Sequence, residues 1–358
     1  MSLYDKFYNM PSTKCKYYHN APCMNFASFT TEDAYKFIRG TYTVGAKDKI
    51  FDVGFSSKHE SEGKHLHTVS LYFMGCLHSD MIDKYLKSYL QGFIPNMNYW
   101  YDFKYTWYLT CLYHDTASVI EKEEWTRGCS SDLDFYLVKH DIKHNVFQHV
   151  WDNPSHTPYT YSEALVKSYF KYRVEHHHSI DHGIIAGYLL YDRLVKNYNS
   201  AWEKKTKASP NANFDDFYVD NLAWRKGHIP HFAIIADAII AHNIWRSEKT
   251  CESKKVYRQY GLDMLVYSKC SRIAVKQSPL VFYLGLLDSI EPIKREFDGC
   301  DDLQKLRDIN MDWDSDRIII TVANGNYTEW LNRLIRIAEW LAVTVKKISS
   351  TELRVKIR

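Results

Sequence analysis

Apolar residues recur along most of this chain with the three-to-four spacing of one helix face. His67, Leu71, Met74 and His78 stand at i, i+4, i+7 and i+11, which predicts a helix with one buried side. A further helix is expected over Asp83 to Leu90. A longer one is expected from Trp100 to about Glu124, with its apolar centre at Trp107 to Tyr113. Ser162 to Tyr172 and Asp181 to Tyr198 repeat the pattern. In the second of these, Gly183, Ala186 and Gly187 present so little side chain that a neighbouring helix can approach closely. Helical spacing resumes from His228 to Trp245. Ser278 followed by Pro279 is a helix start signal for the apolar run Leu280 to Leu287, which ends on Asp288.

The intervening stretches divide the chain. Residues 1–62 mix prolines, asparagines and tyrosines, with a strand-like Lys49 to Val53 and a helix opening at Thr30 to Asp33, and read as an irregular N-terminal cover. Within the helical domain at 63–299, residues 126–162 carry Gly128, Pro154 and Pro158 around a short apolar segment and read as an insertion. The polar run Trp202 to Asp216 reads as a solvent-exposed loop. Beyond Gly299 the period changes. Arg317 to Val322 is expected to be a strand, Tyr327 to Leu341 an amphipathic helix, and Val343 to Ile348 with Glu352 to Ile357 a terminal hairpin. The expected fold class is therefore mainly α, a helical bundle with a small C-terminal α+β appendage at 300–358.

Composition narrows the class. A chain of 358 residues with 45% hydrophobic content can bury a large core. No stretch reaches the roughly 18 uninterrupted apolar residues that span a bilayer, and the first residues lack an apolar signal core, so a soluble, cytoplasmic protein is expected. The eight cysteines include no Cys-x-x-Cys and read as reduced thiols. A net charge of +3 supplies no overall basic field for a dedicated nucleic-acid binder, while leaving room for a small anionic substrate. Seventeen histidines and 28 tyrosines suit a wet, partly buried pocket.

The chemistry lies in an ordered set: His67, the pair His114 and Asp115, His182, His242 and Asp288. Each sits within or at the edge of an apolar helical segment, so five helices can each bring a ligand to one buried point, as bundles do when they hold two metals. Aspartate is a natural bridge because its two oxygens can each meet one ion. On a continuous helix His114 shares the inward face of Cys111 and Trp107, and Asp115 is rotated from it by about 100°.

In order and local sequence these residues resemble the HD superfamily of metal-dependent phosphohydrolases in its six-ligand, two-metal form, over roughly residues 60–300. The segment His67 to Gly75 is similar to the family's first ligand helix, and Leu112 to Asp115 to its signature. Asp181 to Gly183, Ala241 to Asn243 and Leu286 to Asp288 resemble the remaining ligand positions. The resemblance implies that His67, His114, Asp115 and Asp288 hold one ion, and that Asp115, His182 and His242 hold the other. The ions would be two divalent metals from among iron, manganese, magnesium, nickel and zinc. One departure stands out. Many catalytic members follow the His-Asp pair with Gly-Lys, the lysine contacting phosphate, whereas Asp115 is followed by Thr116, Ala117 and Ser118. The phosphate-binding cation is then sought among Lys122, Arg272, Lys294 and Arg295.

Other polar residues have plainer roles. His65, His176, His177 and His178 have polar flanks and read as solvated loop residues. Asp181 reads as the cap of the helix that begins with His182. Glu291 either orients a ligand or is an ordinary surface carboxylate. Asn243 either donates to a substrate phosphate, acting in catalysis with Asp115, or simply ends a helix. The resulting expectation is an enzyme in which a metal-bridging hydroxide attacks phosphorus in a phosphate mono- or diester, most plausibly of a nucleotide. Single-strand cleavage of nucleic acid is the second choice. A regulatory protein or a di-iron redox protein on the same bundle would use the same ligand types. No membrane partner is expected.

Overall fold

The computed structural model describes residues 1–17, 24–39, 62–94, 103–118, 120–121, 128–151, 157–210, 216–219, 222–225, 227–267, 272–297, 299–314 and 316–358. The strand expected at Lys49 to Val53 lies outside these residues, as does Lys122. In chain order the longer helices are α1 (Leu3–Tyr8), α2 (Thr31–Arg39), α3 (Glu62–Leu77), α4 (Ser79–Gln91), α5 (Phe103–Tyr113), α6 (Leu133–Lys139), α7 (Glu163–His177), α8 (His182–Ala208), α9 (Ile229–Ala241), α10 (Cys251–Gln259), α11 (Pro279–Ile290), α12 (Asp302–Asp308) and α13 (Thr328–Leu334). The protein is mainly helical, as the apolar period indicates.

The core forms where α3, α5, α8, α9 and α11 pack on one another. Leu71, Trp107, Ile184, Ile239 and Leu286, one from each, are wholly shielded from water. Each such side chain contributes about 1.5–3 kcal/mol of transfer free energy. The tightest pairing is α8 on α9. A Cβ at Gly187 would stand 2.8 Å from the Ala236 carbonyl oxygen, and one at Gly183 would stand 2.9 Å from that of Ile239. Only glycine allows the two backbones so near.

Several boundaries differ from the sequence expectation for identifiable reasons. Helix α5 stops at Tyr113 instead of running on to Glu124. The Thr116 hydroxyl donates to the carbonyls of Leu112 and Tyr113 and competes with the backbone ladder. His114 and Asp115 therefore occupy the turn beyond the helix. Helix α8 continues through Trp202 to Ala208, where a loop was expected. Lys and Glu residues favour helix there, and Glu203 and Lys207 pair one turn apart. Helix α9 ends at Ala241, short of Trp245, and leaves His242 at its C-cap. The described part of the 126–162 insertion holds α6 and a 3-10 turn at Val146–Gln148. The N-terminal cover is less irregular than expected. Its α1 is closed by a reciprocal cap in which Ser2 and Asp5 bond each other's backbone.

Two short strands, β1 (Asp216–Val219) and β2 (Leu222–Arg225), make a hairpin that the sequence pattern did not suggest. The C-terminal unit is an antiparallel sheet of β3 (Ile309–Asp314), β4 (Arg317–Val322), β5 (Val343–Lys347) and β6 (Glu352–Ile357), ordered β3-β4-β6-β5. Strand β3 was not foreseen. Ile318 opposes Val355 and Ile320 opposes Leu353, so one face is apolar at the period of two. The helix expected over Tyr327 to Leu341 breaks into α13 flanked by 3-10 turns. This unit is sewn to the core where Ile273 donates to the Trp340 carbonyl and accepts from Ala342. Lys6 joins it from the other side, reaching Asn310 Oδ1 at 2.9 Å and Asp312 Oδ1 at 2.7 Å. Among the described residues no helix is long and apolar enough to cross a membrane, and the described cysteines are free thiols.

Candidate metal centre

Four histidines meet at the centre of the bundle, and the direction of each ring is set by what its Nδ1 bonds. His114 and His242 lie just beyond the last turns of α5 and α9, where helix carbonyls lack an amide partner. The His114 Nδ1 donates to the Cys111 carbonyl at 2.7 Å, and the His242 Nδ1 donates to that of Ile239 at 2.5 Å. A carbonyl oxygen only accepts, so both protons sit on Nδ1. On the other two rings carboxylates do the same work. Glu291 Oε2 takes the His67 Nδ1 at 2.7 Å, and Glu121 Oε2 takes the His182 Nδ1 at 2.6 Å. All four Nε2 atoms are thereby left facing the interior.

These atoms and two aspartates fall into two groups. His67, His114 and Asp288 bring ligand atoms within 4.8 Å of one another, and so do Asp115, His182 and His242. His67 Nε2 is 3.1 Å from His114 Nε2 and 3.1 Å from Asp288 Oδ1. Asp115 stands between the groups. Its Oδ2 lies 3.8 Å from His67 Nε2 and 3.5 Å from His114 Nε2, while its Oδ1 lies 3.3 Å from His182 Nε2. Imidazole nitrogens and carboxylate oxygens at these separations form a donor set that can hold a divalent metal ion. The residues present therefore fit such a group, and the donor types do not select its identity.

The electrostatics are those of a cation site. Burial alone would push the His67 imidazole down, and Lys294 adds to that. The carboxylates of Glu291 and Asp288 nevertheless hold it up at about 9. His182 is raised to about 10 in the same way, against burial, by Asp115 and Glu121. His242 has no carboxylate backing, and burial with the neighbouring His114 and His182 drives it down to about 3. Asp115 and Asp288 stay ionised well below the usual carboxylate range. Burial opposes this, but His114 and His182 outweigh it at Asp115, and Lys294, His114 and His67 at Asp288.

Around the centre, Asp181 caps α8 through the Ile184 amide, as expected, and also accepts from the Asn243 amide at 3.1 Å. The Asn243 oxygen in turn accepts from the Trp245 indole at 2.9 Å. The structure thus gives Asn243 partners in a clamp between Asp181 and Trp245. Glu291 is wholly buried and backs His67. Glu121 was missed in the sequence, where it begins a polar run with the look of a surface. His176, His177 and His178 are exposed at the end of α7. His65 is instead buried in α3, its ring edge against Tyr35, because the helix begins before it. Of the candidate cations, Lys294 is in direct contact with Asp288 Oδ1. Arg295 reaches the Asp288 and Ser289 carbonyls, and Arg272 turns away to the Val343 carbonyl.

No family model, no curated protein and no solved structure matches this chain. The reading of the centre therefore rests on its own residues.

Proposed function

We propose that this protein is a metal-dependent phosphohydrolase of the HD type, acting on a phosphate mono- or diester. The observation that supports the reading most is the common orientation of the four imidazoles. Each Nδ1 is committed to an acceptor, so the Nε2 atoms of His67, His114, His182 and His242 converge with Asp288 on two adjacent points linked by Asp115. Two divalent ions bound there would activate water near neutral pH and neutralise charge on phosphate oxygens. Glu121 and Glu291 keep the rings in one tautomer and orientation, the backing that ligand histidines need. Lys294, beside Asp288, is placed to meet a phosphate oxygen, and supplies the cation that Ser118 cannot. Asn243 holds Asp181, and through it the start of α8, in register with His242.

Elemental analysis after gentle purification, followed by a phosphate-ester screen with several divalent metals, tests this. About two ions per chain are expected. Asp115→Ala should abolish both the second ion and hydrolysis, whereas His178→Ala should be silent. Fewer than one ion per chain after reconstitution, or equal effects of the two substitutions in folded protein, would sink the proposal. Degradation of single strands without turnover of small esters would move the activity to the nuclease class.

A further inference from the structure

Helix α7 gives none of the six candidate ligands, yet one of its faces meets the supports of the second ligand group, Asp115, His182 and His242. Tyr169 and Arg173 stand one turn apart on that face. The buried Tyr169 hydroxyl donates to the Asn243 carbonyl at 3.2 Å and accepts from the Trp245 amide at 3.1 Å, which holds the turn after His242. Arg173 Nη2 lies 3.5 Å from Glu121 Oε1, and the arginine side chain is only 21% exposed. Its charge acts on the buried Asp181, the cap of α8, as well as on Glu121. The Arg173 carbonyl also accepts from the Ser179 amide, and the Ser179 hydroxyl donates to the same Glu121 oxygen.

We propose that Arg173 is a positioning residue for the second ion: it keeps Glu121 and Asp181 together behind His182, so that the ring stays aimed at the metal. The inference rests on the two-ion reading above and adds the residue that governs one of the two positions. Three carboxylates crowd this group, with Asp115 as a ligand, Glu121 behind the His182 ring and Asp181 at the start of α8. Glu121 and Asp181 repel each other where little water screens them. A cation that acts on both offsets the repulsion, and its removal leaves buried negative charge uncompensated. The first group has its own cation in Lys294, which touches the ligand Asp288 directly. Arg173 contacts supports and no ligand atom, so it works through Glu121 and Asp181 and not on a bound phosphate.

Chelator competition on the full chain with Mn²⁺, read alongside elemental analysis, gives a dissociation constant for each of two ions. His182→Ala marks which of the two steps belongs to the second group. Arg173→Gln should weaken that step about 10- to 100-fold and leave the other within about threefold, the range for loss of a ligand's outer support. Arg173→Lys, which keeps the charge, should hold both steps within about threefold of wild type. Combining Arg173→Gln with Glu121→Gln should cost less than the product of the single effects, because both act on one ring. Equal weakening of both steps, unchanged binding in Arg173→Gln, a loss in Arg173→Lys as large as in Arg173→Gln, or single effects that multiply in the combined variant overturns the proposal. If Arg173→Gln does not fold, Arg173→Gln with Asp181→Asn, which removes both charges of that pair, takes its place with the same expected split. No ion bound by the wild type defeats the metal centre and the proposal with it. Two ions bound indifferently to Arg173 defeats the proposal alone, and a weakened second step without turnover of any phosphate ester upholds it while defeating the hydrolase.

Discussion

Gly183→Ala is the substitution that most directly joins helix packing to the candidate metal centre. Its Cβ would stand 2.8 Å from His242 Cε1, 3.1 Å from His242 Nδ1 and 2.9 Å from the Ile239 carbonyl, the acceptor that fixes that ring. Restoring ordinary contact near 3.4 Å requires displacements of about 0.5–0.6 Å from the ring and its acceptor together. Overpacking of this kind costs about 1–3 kcal/mol, and the better helix propensity of alanine returns about 1 kcal/mol. The net loss of stability should be about 0–2 kcal/mol. The effect on the second ligand group should be larger, a fall in metal affinity of about 10- to 100-fold, as for loss of a ligand's supporting contact. Gly187→Ala is the matched control. Its Cβ meets Ile240 Cγ1 at 2.5 Å and the Ala236 carbonyl at 2.8 Å, a crowding at least as close that touches neither a ligand ring nor its acceptor. Thermal melts measure the packing cost, and chelator competition with elemental analysis measures the affinity. Equal metal binding by the two variants would refute the reasoning, whichever way both moved.

Further outcomes follow from other contacts. Glu121→Gln and Glu291→Gln each leave all six ligands in place but should weaken metal binding about 10- to 100-fold in a competition titration; unchanged binding would show that the backing carboxylates are passive. Asp237 is buried, and burial pushes its carboxyl up to about 7 against the bonds it accepts from Thr160. The folded state therefore keeps a proton that the unfolded chain releases near 4, so this group's contribution falls as pH rises from about 4 to about 7, by at most about 4 kcal/mol. Asp237→Asn should flatten that part of the pH dependence and raise stability at pH 8 relative to wild type, which urea melts at pH 5 and pH 8 would check. Lys6→Met should cost about 1–3 kcal/mol by leaving Asn310, Asp312 and the Met311 carbonyl without their shared donor; an unchanged melting temperature would mean that these bonds do not stabilise the seat of α1 on the C-terminal unit.

What the sequence made legible depended on where each residue lies relative to an apolar period. His67 and Asp288 sit inside runs whose spacing announces a buried face, and the same spacing leads up to His114 and His242. The partners of those rings were less visible. The carbonyls of Cys111 and Ile239 are backbone groups, but their availability follows from helix ends falling where they do, so recognising the stops at Tyr113 and Ala241 would have exposed them. Glu291 could be weighed because it follows Asp288 by three residues, although it proves to lie just past the helix instead of on its face. Glu121 gave no signal, being 61 residues from the ring it backs and followed by charged neighbours.

The convergence of five helices also bears on how the chain reaches its final form. The bond between His67 and Glu291 closes across 224 residues, and each ligand group draws its members from widely separated parts of the chain, His67 to Asp288 and Asp115 to His242. Closing a loop of that length costs about 5 kcal/mol in the simplest chain statistics, so the centre is expected to assemble only once the bundle is largely in place. Two ions bound there would between them tie together α3, the turn after α5, α8, the end of α9 and α11. The binding energy of each then acts on the entire fold by linkage, adding about 2.7 kcal/mol of stability at a hundredfold excess over its dissociation constant. Metal supply would in that way set the lifetime of the folded protein as well as the readiness of its chemistry.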